Sequence, residues 1–158
     1  MRKAEEEEEV NYFPNTNAEL DELLNNPLVD NESDDDEDVS SFEKLARKME
    51  PLTPDGGVKK KLIRGGIMAD GSIPEKGTVT IHFSMRVEYQ DEPFDSSWFR
   101  GRPERYRLDD GQLLPGLEIG IKTMKNKELS EFLIESNYAF GEMGCPPRYV
   151  VFRFFNTI

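Results

Sequence analysis

The stretch EPFDSSWFRGRPERYRL, residues 92–108, sets one aspartate, Asp95, among four aromatic rings and four arginines. The stretch poses the question of what chemistry wants an acid flanked by rings and followed at once by a basic run. The usual catalytic partners are scarce. The 158 residues hold one histidine, His82, and one cysteine, Cys145. A Ser-His-Asp or Cys-His site would have to use His82, and no second histidine or cysteine completes a zinc or thiol site. GGIMADGS (65–72) has glycines but not the Lys-Ser/Thr ending of a phosphate-cradling loop. DNESDDDED (30–38) lacks the central glycine that lets a calcium loop turn. No metal and no cofactor is expected. Whatever this chain acts on, it must act through shape and desolvation.

The elements that would position such a stretch can be read from hydrophobic spacing. GTVTIHFSMRVEY (77–89) alternates strictly, with Val79, Ile81, Phe83, Met85 and Val87 on one face and Thr78, Thr80, His82, Ser84 and Arg86 on the other. It is a strand with one buried face, and His82 falls on the polar side, which argues against a catalytic or metal role. VKKKLIRGG (58–66), RYRL (105–108), ELSEFLI (128–134, with Ser130, Phe132 and Ile134 on one face) and YVVFRFF (149–155) are further strands. PGLEIGIKTM (115–124) starts with proline and places Leu117, Ile121 and Met124 on one stripe, so it predicts a short helix. SSFEKLARKME (40–50) carries a Ser40–Glu43 capping box and an apolar face of Phe42, Leu45 and Met49, ended by Pro51. PLTPDGG (51–57) reads as a linker. The expected class is α+β, an antiparallel sheet with one helix on its face. The expected divisions are an acidic arm (1–39), a short amphipathic helix with its linker (40–57) and a globular domain (58–158).

Charge is unevenly spread. The net charge is −12, and residues 1–50, with 17 acids and 5 bases, account for all of it. The arm is expected to be disordered, because like charges at this density resist compaction. Within it, Leu20, Leu23 and Leu24 could form a weak helix or a docking motif, and Ser33 precedes three aspartates as an acid-directed kinase would want. The neutral remainder offers no electrostatic case for nucleic acid. No stretch approaches the roughly 18 apolar residues of a membrane span, and no apolar run follows the basic residues at the start, so neither a membrane partner nor a secretory leader is expected. A single cysteine accords with a reducing compartment. The expected location is the cytoplasm, with a nuclear pool open.

The segments VTIHFSMRVEYQDEPFDSS, LLPGLEIGIKTMKNKE and NYAFGEMGCPP, in this order and spacing, resemble the FK506-binding-protein (FKBP) type of peptidyl-prolyl cis-trans isomerase, over roughly residues 58–147. FEKLARKM, PFDSSWFR and the acidic leader resemble the germline branch of that family. The resemblance implies an antiparallel half β-barrel wrapped on one short helix, with a peptide cleft between them. It places Phe83, Phe94, Asp95, Arg100, Leu113, Leu114, Leu117, Phe140 and Phe152 at the cleft, and implies proline-containing peptide or protein clients. Such a site needs no nucleophile. The amide barrier of about 18–20 kcal/mol arises from partial double-bond character, and a dry pocket that favours the twisted amide over the planar one lowers it.

Several positions depart from the family pattern. Phe83 and Phe140 stand where tyrosines are usual, each missing hydroxyl removing a bond of about 0.5–1.5 kcal/mol where it was made. Leu117 replaces a tryptophan floor, Glu104 a pocket phenylalanine, and Gln112 a glutamate. A carboxylate beside an apolar pocket costs desolvation or keeps the site wet. The resemblance with these departures implies weak or absent isomerase activity and a role as a peptide-binding co-chaperone module. The alternatives are an active isomerase with altered substrate preference, and an acidic arm that binds basic proteins. YVVFRFFNTI follows Arg148 at once, where the family has a longer loop. The chain is therefore read as truncated; otherwise a shortened loop still delivers Phe152 to the cleft. An unpaired YVVFRFF would be an aggregation-prone edge. Contact with chaperone machinery would need a helical repeat domain that this sequence lacks.

Overall fold

The alternating run at 78–87 organises the structure. The computed structural model describes residues 41–67, 73–87 and 92–141, the backbone of 149–156, and positions 16, 18, 19 and 22. The chain divides into two units, Met1–Asp30 and Asn31–Ile158, and the sheet belongs to the second. Its elements are helix α1 (Ser41–Arg47), strands β1 (Glu50–Pro51), β2 (Val58–Arg64), β3 (Thr78–Val87), β4 (Asp95–Ser96) and β5 (Glu104–Arg107), helix α2 (Pro115–Lys122), and strands β6 (Leu129–Glu135) and β7 (Tyr149–Asn156). In the first unit the backbone is helical at Ala18, Glu19 and Glu22. Disorder of the arm, Leu20, Leu23 and Leu24, Ser33 and the Ser40 cap lie outside the described residues, as does the side chain of Phe42.

The strands form one antiparallel sheet in the order β1-β2-β6-β7-β3-β4, with β5 also on β3. Strand β3 is long enough to serve several partners. Its whole length from Ile81 to Val87 pairs with β7 on one side. On the other side Thr78–Ile81 pair with β5, and Ser84 and Met85 with β4. The apolar face read from sequence is the buried one, while Ser84, expected on the polar face, is buried as well. Val79, Ile81, Phe83 and Val87 are buried and Met85 packs against the same core. Strand β7 is not an edge: it lies between β3 and β6, bonded to both along its length.

Helix α2 closes one face. Leu117, Ile121 and Met124 point into the core with Phe83, Phe132, Ile134 and Val58. Close approach is possible because the helix is small on that side. A Cβ at Gly120 would lie 2.7 Å from the Phe132 ring, and one at Gly116 would lie 2.5 Å from Ile134.

Strand β6 differs from its expected one-sided pattern. All residues from Leu129 to Ile134 are buried, and on the second face Met49, just past α1, packs on Leu133, with Leu45 and Ala46 of α1 beside it. Helix α1 carries Glu43 in its first turn and Lys44 and Arg47 in its last, the charge order that suits the helix dipole. It ends at Arg47, before Pro51, which sits in a two-residue edge strand paired with Lys59, a place where a missing N–H costs no ladder bond. Residues 51–57, expected as a linker, are a hairpin turn closed by Leu52 N–H to Val58 O (2.7 Å).

A candidate peptide-binding cleft

Phe83 is the hinge of the site. Its ring is buried in the main core, and its backbone anchors the segment that follows β3. Ser97 Oγ accepts from Phe83 N–H at 2.9 Å, and Ser96 Oγ donates to Phe83 O at 3.1 Å. These bonds seat β4 and a single 3₁₀ turn, Ser97–Arg100, beside β3. Ser96 caps that turn by accepting from Trp98 N–H (3.2 Å). Gly101, in the left-handed region at φ 65°, ends it, and the chain reverses into β5.

The turn carries Arg100 back to Asp95. Arg100 Nη1 donates to Asp95 Oδ1 at 2.7 Å. The guanidinium carbon also lies 5.5 Å from the Phe83 ring centroid, over its face. Arg100 holds its proton more tightly than an ordinary arginine because of its hydrogen bond to Asp95, with Glu104 adding to the effect.

Glu104 is not a loose carboxylate in a greasy wall. Arg100 Nε donates to one of its oxygens and the Tyr106 hydroxyl to the other. Tyr106 in turn packs on Phe83, the ring centroids 6.5 Å apart. Burial raises the Tyr106 phenol above its ordinary pKa, and the bond to Glu104 raises it further. Tyr106 is a site residue that the sequence reading missed. Its signal was present: residues 104 and 106 share one face of a strand, and the paired carboxylate and hydroxyl could have been read from that spacing. Gln112, in place of a usual glutamate, accepts from Arg107 N–H at 3.0 Å.

The remaining expected residues fall into two groups. Leu117 is fully buried in the core, and Leu113 and Leu114 pack at its margin in the approach to α2. Phe94 and Phe140 stand in solvent, 44% and 41% exposed. They meet each other edge-on, centroids 6.1 Å apart at 68°. The backbone of Phe152 pairs with Met85 and Phe132, and its side chain lies outside the described residues, as does the loop 142–148 with Cys145. The expected site residues thus comprise two core side chains (Phe83, Leu117), two exposed rings (Phe94, Phe140) and a charged group of Asp95, Arg100 and Glu104. Such a set of residues suits an apolar group held beside oriented polar atoms.

His82 sits on the opposite face of β3, stacked on Trp98 at 4.7 Å with its Nδ1 2.8 Å from Ser97 Oγ. Burial pushes its pKa below the ordinary value. Among the described residues no group of three side chains could hold a metal, and no helix is long and apolar enough to cross a membrane.

Comparison with known proteins agrees with this geometry. Residues 71–153 match the family model of FKBP-type peptidyl-prolyl cis-trans isomerases. The human protein named inactive peptidyl-prolyl cis-trans isomerase FKBP6 is 38% identical over 116 residues, 73% of this chain and 35% of that protein. The Drosophila melanogaster protein named inactive peptidyl-prolyl cis-trans isomerase shutdown is 34% identical over 108 residues, 68% of this chain and 23% of its own length. The chain therefore spans about a third or less of these relatives. In fold, the N-terminal domain of FKBP42 from Arabidopsis thaliana superposes with a TM-score of 0.59 at 24% identity, covering 68% of this chain and 88% of that one. The antiparallel fold is that of the FKBP domains, the similarity extends to FKBP6 and shutdown, and the chain belongs to the FKBP-type peptidyl-prolyl cis-trans isomerase family.

Proposed function

We propose that this domain binds proline-containing peptides or proteins in the cleft at Phe83, Phe94, Asp95, Arg100, Leu113, Leu114, Leu117, Phe140 and Phe152, with weak or no isomerase activity, and serves as a co-chaperone module. The observation that carries the reading is the combination at Leu117 and Phe140. The rim pair Asp95–Arg100 is intact, so a peptide still has an oriented edge. The floor is an aliphatic side chain in the core, and the exposed ring that faces Phe94 has no hydroxyl to donate. Binding an apolar group needs only burial. Accelerating rotation also needs interactions that are stronger in the twisted amide than in the planar one, and a missing donor takes those away. That the relatives are named inactive supports the same reading.

A prolyl-peptide isomerisation assay tests it. The expected result is a rate close to the uncatalysed one, with acceleration gained on Leu117→Trp with Phe140→Tyr. Rapid isomerisation by the unaltered chain would instead establish an active enzyme with its own substrate preference. Deleting residues 1–39 separates the cleft from the acidic arm: client binding persists if the cleft is responsible, and vanishes if the arm is. For the longer protein that such relatives represent, chaperone machinery is the partner we propose, in the cytoplasm with a nuclear pool.

A further inference from the structure

We propose that the cleft selects peptides bearing a lysine or arginine beside the apolar anchor, and that Glu104 sets this preference; the inference rests on the peptide-binding reading above. An Asp95–Arg100 pair alone would leave the rim neutral. Glu104 adds a second carboxylate against the same guanidinium, so two negative groups share one positive one. This charge is also fixed in place. An exposed glutamate swings freely, but Glu104 is held at both oxygens, by Arg100 and by the Tyr106 hydroxyl. Its side chain keeps 24% of its exposure, and Asp95 keeps 39%, so an arriving cation can reach both.

Two further features favour a cationic ligand. Phe94 and Phe140 leave ring surface in solvent beside the rim, and aromatic faces attract ammonium and guanidinium groups. The arginines of β5 do not cancel the charge at the rim. Arg105 and Arg107 alternate with Glu104 and Tyr106 along the strand, so they project from its other face. A peptide with a glutamate at that position would bring a third carboxylate to the rim and bind worst.

The test is fluorescence anisotropy with three labelled peptides, identical except for lysine, glutamine or glutamate next to the proline. The expected order is lysine over glutamine over glutamate, with about fivefold between neighbours, the ratio one rim ion pair supplies. Glu104→Gln should reduce the lysine-to-glutamate ratio by about fivefold. Glu50→Gln, an exposed carboxylate on β1 at the opposite edge of the sheet, should leave it unchanged. Equal binding of all three peptides overturns the inference and leaves the cleft reading standing. An unchanged ratio in Glu104→Gln does the same, assigning any preference to a charge other than Glu104. Binding of none of them overturns both. Should Glu104→Gln not fold, amide shifts of the ¹⁵N-labelled unaltered chain decide: the lysine peptide must move Asp95 and Glu104, and shifts confined to residues 1–39 overturn the inference.

Discussion

The Tyr106 hydroxyl donates to Glu104 while the Tyr106 ring packs on Phe83. One side chain therefore seals the core and restrains the charge at its rim. This contact explains how the chain tolerates a carboxylate where the resemblance leads one to expect a phenylalanine: the group is paired, and its desolvation is offset by a cation and a hydroxyl.

Tyr106→Phe keeps the ring and removes the donor. It should destabilise the fold by about 1–3 kcal/mol, the cost of leaving a partly buried acceptor short of a partner, read from urea unfolding. The pH dependence has a definite sign. The phenol is raised above its ordinary value of 10 in the folded chain. Above pH 10 the unfolded chain releases this proton while the folded chain keeps it. The folded state then binds more protons, and stability falls as pH rises. That part of the decline should be absent in Tyr106→Phe.

His82 is the chain's one histidine, so its imidazole can be followed alone by NMR. Its midpoint should lie below the ordinary 6.5, because burial against Trp98 and Ser97 opposes the charged form. Between 6.5 and the lower folded value the unfolded chain binds the extra proton, so stability rises with pH through that window and declines as pH falls. His82→Gln should flatten the slope there. A midpoint above 6.5 would contradict the stacked arrangement.

Glu128 is a buried carboxylate, 2% exposed, that receives Lys60 Nζ at 2.7 Å, Ser130 Oγ at 2.6 Å and Lys125 N–H at 2.9 Å. Lys60 also donates to Thr123 at the end of α2, tying the helix to β2. Glu128→Ala should cost about 1–3 kcal/mol by taking the buried acceptor away from Lys60, Ser130 and the Lys125 N–H. Lys60→Met with Glu128→Leu should recover much of that loss, since both charges then go together. Chemical denaturation of the three chains checks this.

Much of the scaffold was readable from local pattern. The period of two at Val79–Val87 and the Leu117–Ile121–Met124 stripe depend on neighbours in sequence, and the apolar side of each faces the core as the spacing required; Ser84, on the other side of β3, is buried as well. Asp95 and Arg100 are five residues apart on one short turn, so their pairing was also within local reach. Strand β6 was misjudged as half-buried, because Met49 and α1, from some eighty residues upstream, pack on its second face. Pro51 was taken as a helix stop, yet the helix ends at Arg47 and Pro51 pairs with Lys59.

By itself the sequence determined its periodicities: which residues of a strand or helix share a face follows from backbone geometry alone, whereas the placing of Phe83 and Leu117 at one cleft came from the family resemblance. Only the tertiary structure decided where β7 lies, inside the sheet between β3 and β6, and what state Glu104 is in. Strand order and the pairing of a charge depend on which distant segments meet, and that is settled by burial and hydrogen bonding across the whole sheet.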